Sequence, residues 1–280
     1  MHTTPPANDE QATLWNGPAG HAWVEEQESL DRMFEPFEAM LADSIAPGSR
    51  VLDIGCGTGA TTIAAARRAA PGGRVTGIDI SEPMLALARE RAARAGVAAQ
   101  FLRADAQVAE LEPASFDALI SRFGVMFFGE PVAAFANLHR ATRTGGALNA
   151  FAFRSAAENP FMTTAERAAA PFLPDLPPRK PDAPGQFAFA DGDRVRNILE
   201  SAGWREIELR HVDVECALPR AQLDRYIARL GPVGMALARA PDDRRERIVE
   251  IVRAAFAPFA VSEEIRFSAA CWKVSARAAG

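Results

Sequence analysis

The stretch Val51-Leu-Asp-Ile-Gly-Cys-Gly-Thr-Gly59 decides the fold of this chain. The apolar run at 50–54 is typical of a buried parallel strand, and an alanine-rich helix is predicted to begin at Ala60. Alternating glycines allow positive φ angles and let the backbone approach a ligand, while the start of a helix carries a partial positive charge. The stretch therefore predicts a strand, a turn and a helix that bind a nucleotide-like cofactor.

The alternation of strands and helices continues along the chain. Short apolar runs separated by helical stretches predict further strands at 74–79, 98–103, 116–121 and 147–153. This order favours a parallel sheet with right-handed crossovers. Two later strands, at 204–216 and 265–275, are joined through helices and suit an antiparallel edge. We therefore predict an α/β fold: a doubly wound, mostly parallel, seven-stranded Rossmann-like sheet with an antiparallel edge strand and a helical cap.

The sequence also predicts how the chain is divided. Aromatic residues at helical spacing precede the first strand, and prolines crowd the region after the fifth strand. The predicted parts are an N-terminal helical lid at 1–46, which begins with a polar tail at 1–11, a cofactor-binding core at 47–154, a proline-rich cap at 155–190, and the rest of the sheet at 191–280 with a helical insertion at 217–262.

Composition limits the partners and the location. The net charge of −5 argues against nucleic acid, and no apolar run approaches the roughly 18 to 20 residues that span a bilayer. The three cysteines are far apart, so neither a metal site nor a disulfide framework is expected. The absence of a signal-peptide pattern predicts a cytoplasmic protein, and we expect a monomer or homodimer that acts on a small-molecule substrate.

Two cofactor classes fit the glycine turn. Gly55-x-Gly57-x-x-Ala60 satisfies the dinucleotide fingerprint, and Asp79 stands where a ribose-binding acid would, so an NAD(P)-dependent oxidoreductase is one alternative. The carboxylate of Asp53, just before the turn, would oppose a pyrophosphate but favour a ligand with ammonium and sulfonium groups. S-adenosylmethionine is such a ligand.

Several further motifs follow in order: Gly77-Ile-Asp-Ile-Ser81 with Met84-Leu85, Ala104-Asp105-Ala106, Phe116-Asp117 and Gly145-Gly146. Together with the glycine turn, this set resembles the successive motifs of class I S-adenosylmethionine-dependent methyltransferases. The similarity is closest to the small-molecule branch that includes the ubiquinone and menaquinone biosynthesis methyltransferases. The resemblance covers about 51–153, and outside that span it is loose.

The resemblance implies roles for residues of the turn and of the second strand. The backbone of Gly55, Gly57 and Gly59 would lie against the methionine and ribose portion of the cofactor. Asp79 would accept hydrogen bonds from both ribose hydroxyls, although it could instead cap the next helix. Asp53 would either face the cofactor's cationic end or hold the turn.

The resemblance assigns the remaining cofactor contacts to three later loops. Ile80 and Met84 would flank the adenine, and Asp105 with Ala106 would bind its exocyclic amine and ring edge. Structural roles are the alternatives: Met84 as core and Asp105 as a helix cap. At the methionine end, the resemblance places two residues that close the fourth strand, Ser121 and Arg122, the latter alternatively a surface arginine.

The reaction implied is methyl transfer by in-line SN2 displacement, which leaves S-adenosyl-L-homocysteine as the product. It needs alignment of the acceptor and exclusion of water more than acid–base groups. His21 is the candidate base, and because no base is obvious, a non-catalytic S-adenosylmethionine-binding protein is a second alternative. Aromatic residues near the predicted lid and loops suggest an apolar or aromatic acceptor, with core packing as their alternative role: Trp15, Trp23, Phe123, Phe127 and Tyr226.

Overall fold

The structure is a computed structural model that describes residues 8–180 and 182–279. The first seven residues of the predicted lid and tail lie outside these ranges. A single eight-stranded sheet runs through the molecule in the order β3-β2-β1-β4-β5-β8-β6, with β7 paired to the start of β8. The strands are β1 (Arg50–Ile54), β2 (Arg74–Asp79), β3 (Ala99–Arg103), β4 (Phe116–Arg122), β5 (Thr142–Phe153), β6 (Trp204–Pro219), β7 (Ala260–Val261) and β8 (Glu264–Ala278).

The sheet confirms the predicted architecture. Strands β3, β2, β1, β4 and β5 are parallel, and β8 runs antiparallel to both β5 and β6. The eighth strand, β7, has only two residues, which explains why the apolar pattern indicated seven. Strand β5 begins at Thr142, five residues before the predicted start. Gly145, with φ +76°, lies where the register of β5 with β4 is irregular.

Helices cover the sheet and form the cap. Their ends follow the local sequence: Ser81 caps one helix by accepting a hydrogen bond from the Met84 N–H, and Gly96, at φ +65°, ends it. The described residues form α1 (Asp9–Asn16), α2 (Pro18–Glu25), α3 (Gln27–Ala42), α4 (Ala60–Ala69), α5 (Glu82–Ala95), α6 (Pro131–Ala141), α7 (Pro160–Ala169), α8 (Gly192–Ser201), α9 (Leu223–Arg229), α10 (Gly231–Leu237) and α11 (Asp242–Ala255).

The N-terminal helices are separated at Gly17-Pro18, where proline opens α2. Helix α3 has a distinct apolar face that buries Leu30, Met33, Phe34, Phe37 and Leu41. The rings of Phe34 and Phe37 pack against aromatic residues of β5, so α3 is part of the main core. The predicted N-terminal lid thus contains one helix that is integral to the fold.

The C-terminal insertion contains α9, α10 and α11 and packs against α7. The ring of Phe161 in α7 stacks on that of Phe267 in β8 with centroids 3.7 Å apart, and Tyr226, Phe256 and Phe259 surround it. This aromatic cluster extends the hydrophobic core from β8 into α7 and the C-terminal insertion. None of the helices in the described ranges is long and apolar enough to cross a bilayer.

Candidate functional site

The glycine turn is shaped by close contact with two neighbouring segments. Gly55, Gly57 and Gly59 all have positive φ angles. A Cβ on Gly55 would lie 2.6 Å from Cα of Gly124, and a Cβ on Gly59 would lie 2.9 Å from Cβ of Ala88. Gly55 and Gly59 therefore allow the loop after β4 and helix α5 to approach the turn. At Gly57 the nearest atom is a methionine sulfur 3.8 Å away, so the positive φ alone favours glycine there.

Hydrogen bonds within the protein hold the turn. The N–H groups of Gly55 and Cys56 donate to the Ile78 carbonyl at 2.9 and 3.2 Å, and the Gly57 N–H donates to Oδ2 of Asp79 at 2.8 Å. These three N–H groups are therefore already paired within the protein. The hydrogen bonds fix the shape of the turn in advance.

Asp79 joins the turn to the start of α5. Its Oδ1 accepts from the Ser81 N–H at 2.9 Å, and Ser81 is the capping residue of that helix. Burial raises the pKa of Asp79, and the hydrogen bonds from Ser81, Gly57 and Ile80 oppose the shift. Each carboxylate oxygen keeps further acceptor capacity, and 8% of the residue is exposed. The Asp79 side chain can thus hold the start of α5 and contact a ribose at the same time.

Asp53 is buried beneath the turn with one unused oxygen. Its Oδ2 accepts from the hydroxyls of Thr61 and Thr62 at 2.5 and 2.7 Å, at the start of α4. Its Oδ1 is buried and has no hydrogen-bond partner among the described residues. Burial raises the pKa of Asp53 to about 6, against the lowering effect of the two hydroxyls and of Arg122. An ammonium group would satisfy this oxygen.

Arg122 supplies the opposite charge at the end of β4. Strand β4 pairs with β1, with Asp53 opposite Ile120, so Arg122 stands close to the glycine turn. Its Nη1 is buried and unpartnered within the described ranges, while its Nη2 lies 3.8 Å from Oδ1 of Asp31. A free carboxylate oxygen and a free guanidinium nitrogen, both buried, together fit the ammonium and carboxylate of an amino acid.

A third free oxygen follows β3. Asp105 accepts from the Gln107 N–H through Oδ1 at 2.9 Å, and its Oδ2 is buried without a partner among residues 8–180 and 182–279. An exocyclic amine would suit that oxygen. Ile80 is half-buried, and Met84 and Ala106 are buried. The residues present at the strand ends therefore fit an adenosyl group attached to an amino acid.

The N-terminal helices lie across these strand ends. The Ser81 hydroxyl donates to the Trp15 carbonyl at 2.6 Å, and the Asn16 side chain donates to the Ile80 carbonyl at 2.9 Å. The indole of Trp15 packs edge-on against Phe127, with centroids 5.2 Å apart, and against Trp23 at 5.8 Å. Trp15, Trp23 and Phe127 are thus brought together over the loops after β2 and β4.

Two predicted site residues lie in the core instead. Ser121 is fully buried, and its hydroxyl donates to the Ile54 carbonyl at 2.8 Å, which ties β4 to β1. Phe123 is 6% exposed and stacks on Phe153 with centroids 4.4 Å apart. Both side chains thus make their contacts within the protein, and their assignment to the ligand stays a prediction.

Two other predicted residues also lie outside the group. His21 is exposed on α2, and its Nδ1 lies 2.9 Å from the Gly17 carbonyl oxygen of the preceding turn. Tyr226 belongs to the aromatic cluster of the cap, where burial raises its pKa far above the usual range. The structure gives no support to a base at His21, and it favours packing as the role of Tyr226.

The sequence motifs missed two charged residues beside the turn. Arg91, on α5, donates from Nη1 to the Thr58 carbonyl at 2.6 Å and pairs through Nη2 with Asp31 of α3. Neither residue belongs to a recognised motif, and 60 positions separate them. Nothing in the sequence distinguishes them from the other charged residues of α3 and α5.

Other features do not compete with this site. A groove of about 410 Å³ lies across β5, β6 and β8, but its lining of Ser44, Ala147, Leu148, Asn149, Glu206, Glu208, Ser275, Ala276 and Arg277 includes none of the motif residues. Within the described ranges, no group of three or more His, Cys, Asp or Glu residues is arranged to hold a metal ion.

Comparison with known proteins bears on the chemistry. A family model described as a methyltransferase domain matches residues 51–146. Nocamycin O-methyltransferase of Saccharothrix syringae is 30% identical over 200 residues, which cover 68% of this chain and 71% of that protein. The demethylmenaquinone methyltransferase of Thermus thermophilus is 38% identical over 99 residues, but these cover only 35% of this chain and 44% of that enzyme.

The fold agrees with these relatives. The structure of a putative methyltransferase from Bacillus halodurans superposes with a TM-score of 0.57 at 16% identity, covering 87% of this chain and 99% of the other. The methyltransferase relatives remove the oxidoreductase alternative, which the glycine pattern had left open, and the non-catalytic alternative, which the lack of an obvious base had left open. One relative is 30% identical over 71% of its length, and the domain model matches the motif region. The chain therefore belongs to the S-adenosylmethionine-dependent methyltransferases.

Proposed function

We propose that this enzyme methylates a small acceptor with an apolar or aromatic body. The bound cofactor supplies a methyl group already activated on a sulfonium. The task of the protein's own residues is then to hold the acceptor in line with the carbon–sulfur bond and to keep water away.

The observation that carries this proposal is that the N-terminal helices and the proline-rich segment both contact the short 3₁₀ helix Gly124–Phe127. From the N-terminal helices, Asn8 donates to the Phe127 carbonyl at 2.9 Å, and Trp15 packs on the Phe127 ring. From the proline-rich segment, the Gly185 N–H donates to the Met126 carbonyl at 3.0 Å. This loop follows β4 at the edge where doubly wound folds bind their ligands.

The surface at this meeting point is aromatic. Trp15, Trp23 and Phe127 are each half-buried, so part of every ring remains available for contact. Pockets for small molecules are lined mainly by apolar and aromatic side chains with few polar groups. This composition supports an apolar or aromatic acceptor over a charged or polymeric one.

We also propose that four charged side chains bind separate parts of the cofactor. Asp53 and Arg122 hold the amino-acid end, Asp79 the ribose and Asp105 the adenine amine. The support for these roles is the set of free buried atoms on Asp53, Arg122 and Asp105 and the remaining acceptor capacity of Asp79. We assign no base, because the nucleophile of the acceptor can lose its proton to solvent after transfer.

Calorimetric titration with S-adenosylhomocysteine tests the cofactor assignment. We expect Asp79→Ala to weaken binding by at least about a hundredfold, because both the ribose contact and the hydrogen bond to Gly57 are lost. Asp117→Ala is the matched control, since Asp117 also accepts a backbone N–H, from Arg50 at 2.7 Å, but lies outside the site. Equal binding by wild type and Asp79→Ala would reject the assignment.

The acceptor class is tested with methyl-labelled cofactor and a cell extract of the source organism. After incubation, the extract is separated into organic-soluble small molecules, polar small molecules, nucleic acid and protein, and labelled products are identified by mass spectrometry. We expect label in the organic-soluble fraction. Label confined to polar metabolites or to polymers would contradict the proposed acceptor.

A further inference from the structure

We propose that Asp31 and Arg91 are positioning residues that orient Arg122 and the glycine turn toward the amino-acid end of the cofactor. This inference rests on the role proposed above for Arg122. Neither residue belongs to the motifs of the turn, and each comes from a different helix, α3 and α5.

Asp31 lies between two guanidinium groups. Its Oδ2 forms a close ion pair with Nη2 of Arg91, and its Oδ1 lies 3.8 Å from Nη2 of Arg122. Gln27, one turn earlier on α3, donates to Oδ2 at 2.5 Å and fixes the carboxylate. The side chains of Asp31, Arg91 and Arg122 are 18%, 17% and 11% exposed, so water screens their charges only weakly.

Arg91 connects this carboxylate to the glycine turn. Its Nη1 donates to the carbonyl oxygen of Thr58 at 2.6 Å and lies 3.2 Å from the Thr58 hydroxyl. The rigid fork of the guanidinium thus holds Thr58 with one nitrogen and Asp31 with the other. One side chain therefore sets the spacing between α3, α5 and the centre of the turn.

The arrangement leaves one nitrogen of Arg122 available. Its Nη2 is directed toward Asp31, whereas its Nη1 is buried and has no partner among the described residues. The Arg122 guanidinium also lies 5.9 Å from the ring of Phe34, which restricts its movement on another side. The attraction of Asp31 thereby determines the direction in which Nη1 can bind a carboxylate.

Loss of the Asp31 charge has a specific consequence. Arg91 and Arg122 would remain as two like charges with little solvent, and their repulsion would move Arg122, the side chain less firmly held. Burial raises the pKa of Glu38, and the nearby Arg122 opposes that shift. Glu38 is the neighbouring acid to which Arg122 could turn. In that position Nη1 would no longer meet the amino-acid end of the cofactor.

The test compares two ligands in calorimetric titrations. S-adenosylhomocysteine contains the amino-acid group, while 5′-methylthioadenosine keeps the adenine, ribose and thioether but lacks it. We expect Asp31→Asn to weaken S-adenosylhomocysteine binding about tenfold, the change that ~1.4 kcal/mol produces, with methylthioadenosine binding changed less than about twofold. Arg91→Lys should act in the same direction, because a single ammonium cannot hold both partners.

Glu82→Gln is the matched control, since it breaks an exposed ion pair with Arg89 on the same helix and should leave both affinities unchanged. Far-UV circular dichroism and thermal unfolding identify variants that misfold, and if Asp31→Asn is one of them, Arg91→Lys carries the test. Equal losses for both ligands would show that Asp31 and Arg91 only stabilise the fold, and unchanged affinities would also overturn the inference. A wild-type protein that binds neither ligand would instead reject the proposed cofactor site.

Discussion

The glycine turn is held by a different kind of polar contact from the one between helices α2 and α9, which we call the lid–cap joint. At the turn, Asp53 bonds to two threonine hydroxyls with no exposure to solvent. At the joint, α2 meets α9 through Glu25 and Arg229, whose side chains are 46% and 55% exposed. Buried contacts fix a geometry, whereas exposed ion pairs contribute little and separate easily. The turn is thus held by buried contacts, whereas the joint includes an ion pair that is open to solvent.

The largest expected effect is at Gly55, where the turn meets the loop after β4. Gly55→Ala places a Cβ 2.6 Å from backbone Cα of Gly124 at a positive φ, so we expect the free energy of unfolding to fall by ~3 kcal/mol or more. Gly48→Ala is the control, because Gly48 also has a positive φ but has nothing within 4 Å, and it should cost only ~1 kcal/mol. Urea unfolding measures both, and similar losses would mean that the turn is not tightly packed.

The second prediction concerns the pH dependence that Asp53 confers. Its pKa of about 6 lies above the unfolded value, so the folded protein binds a proton between about pH 4 and 6 that the unfolded chain does not. Stability without cofactor should therefore fall as pH rises through this window, by ~2–3 kcal/mol relative to Asp53→Asn. Urea unfolding from pH 4.5 to 7.5 measures the difference.

Ligand binding should show the opposite dependence on pH. An ammonium group favours the ionised carboxylate, so the affinity for S-adenosylhomocysteine should increase as pH rises through about 6, and Asp53→Asn should remove that increase. Parallel stability curves for wild type and Asp53→Asn, or a binding affinity that does not change with pH, would contradict a free buried oxygen at this position.

The third prediction concerns a smaller difference, in Tm, between the loss of one ion pair of the lid–cap joint and the loss of another. Arg225 pairs with Glu26, which is only 2% exposed, whereas Arg229 pairs with the half-exposed Glu25. Arg225→Met leaves a buried carboxylate without its partner and should lower Tm by a few degrees. Arg229→Met should lower Tm by less than about 2 °C.

Thermal unfolding in low and high salt distinguishes these two ion pairs. Salt should reduce the effect of Arg229→Met more than that of Arg225→Met, because the Glu25 carboxylate is open to solvent. Equal effects at both salt concentrations would mean that the joint is as firmly held as the turn, and the contrast between the two regions would then disappear.

The sequence predicted the parallel part of the fold because its signals are local. Each strand is a short apolar run, and each turn carries glycine or aspartate at its end, so neighbouring residues are enough to identify them. The same holds for Asp53, Asp79 and Asp105, which lie at or just after the carboxyl ends of β1, β2 and β3 and meet at one edge of the sheet. Parallel strands bring their carboxyl ends together whatever the rest of the chain does.

The remaining features depend on contacts between distant segments. Phe123 and Phe127 are both phenylalanines of one loop, yet the first is enclosed by rings from α3 and β5 and the second faces Trp15. Sequence spacing could not distinguish them, because the difference lies in which partner packs on each ring. Asp31 and Arg91 were missed for a related reason: long charged side chains are usually solvated, and only the fold places these two in contact.

The smallest expected effect is at His21, the candidate base suggested by the sequence. The imidazole is exposed and its Nδ1 contacts the Gly17 carbonyl, so we expect His21→Ala to change the rate of label transfer into the product less than about twofold. A fall of about a hundredfold would contradict this expectation and would mean that His21 reaches the acceptor. That outcome would make the lid a part of the catalytic site.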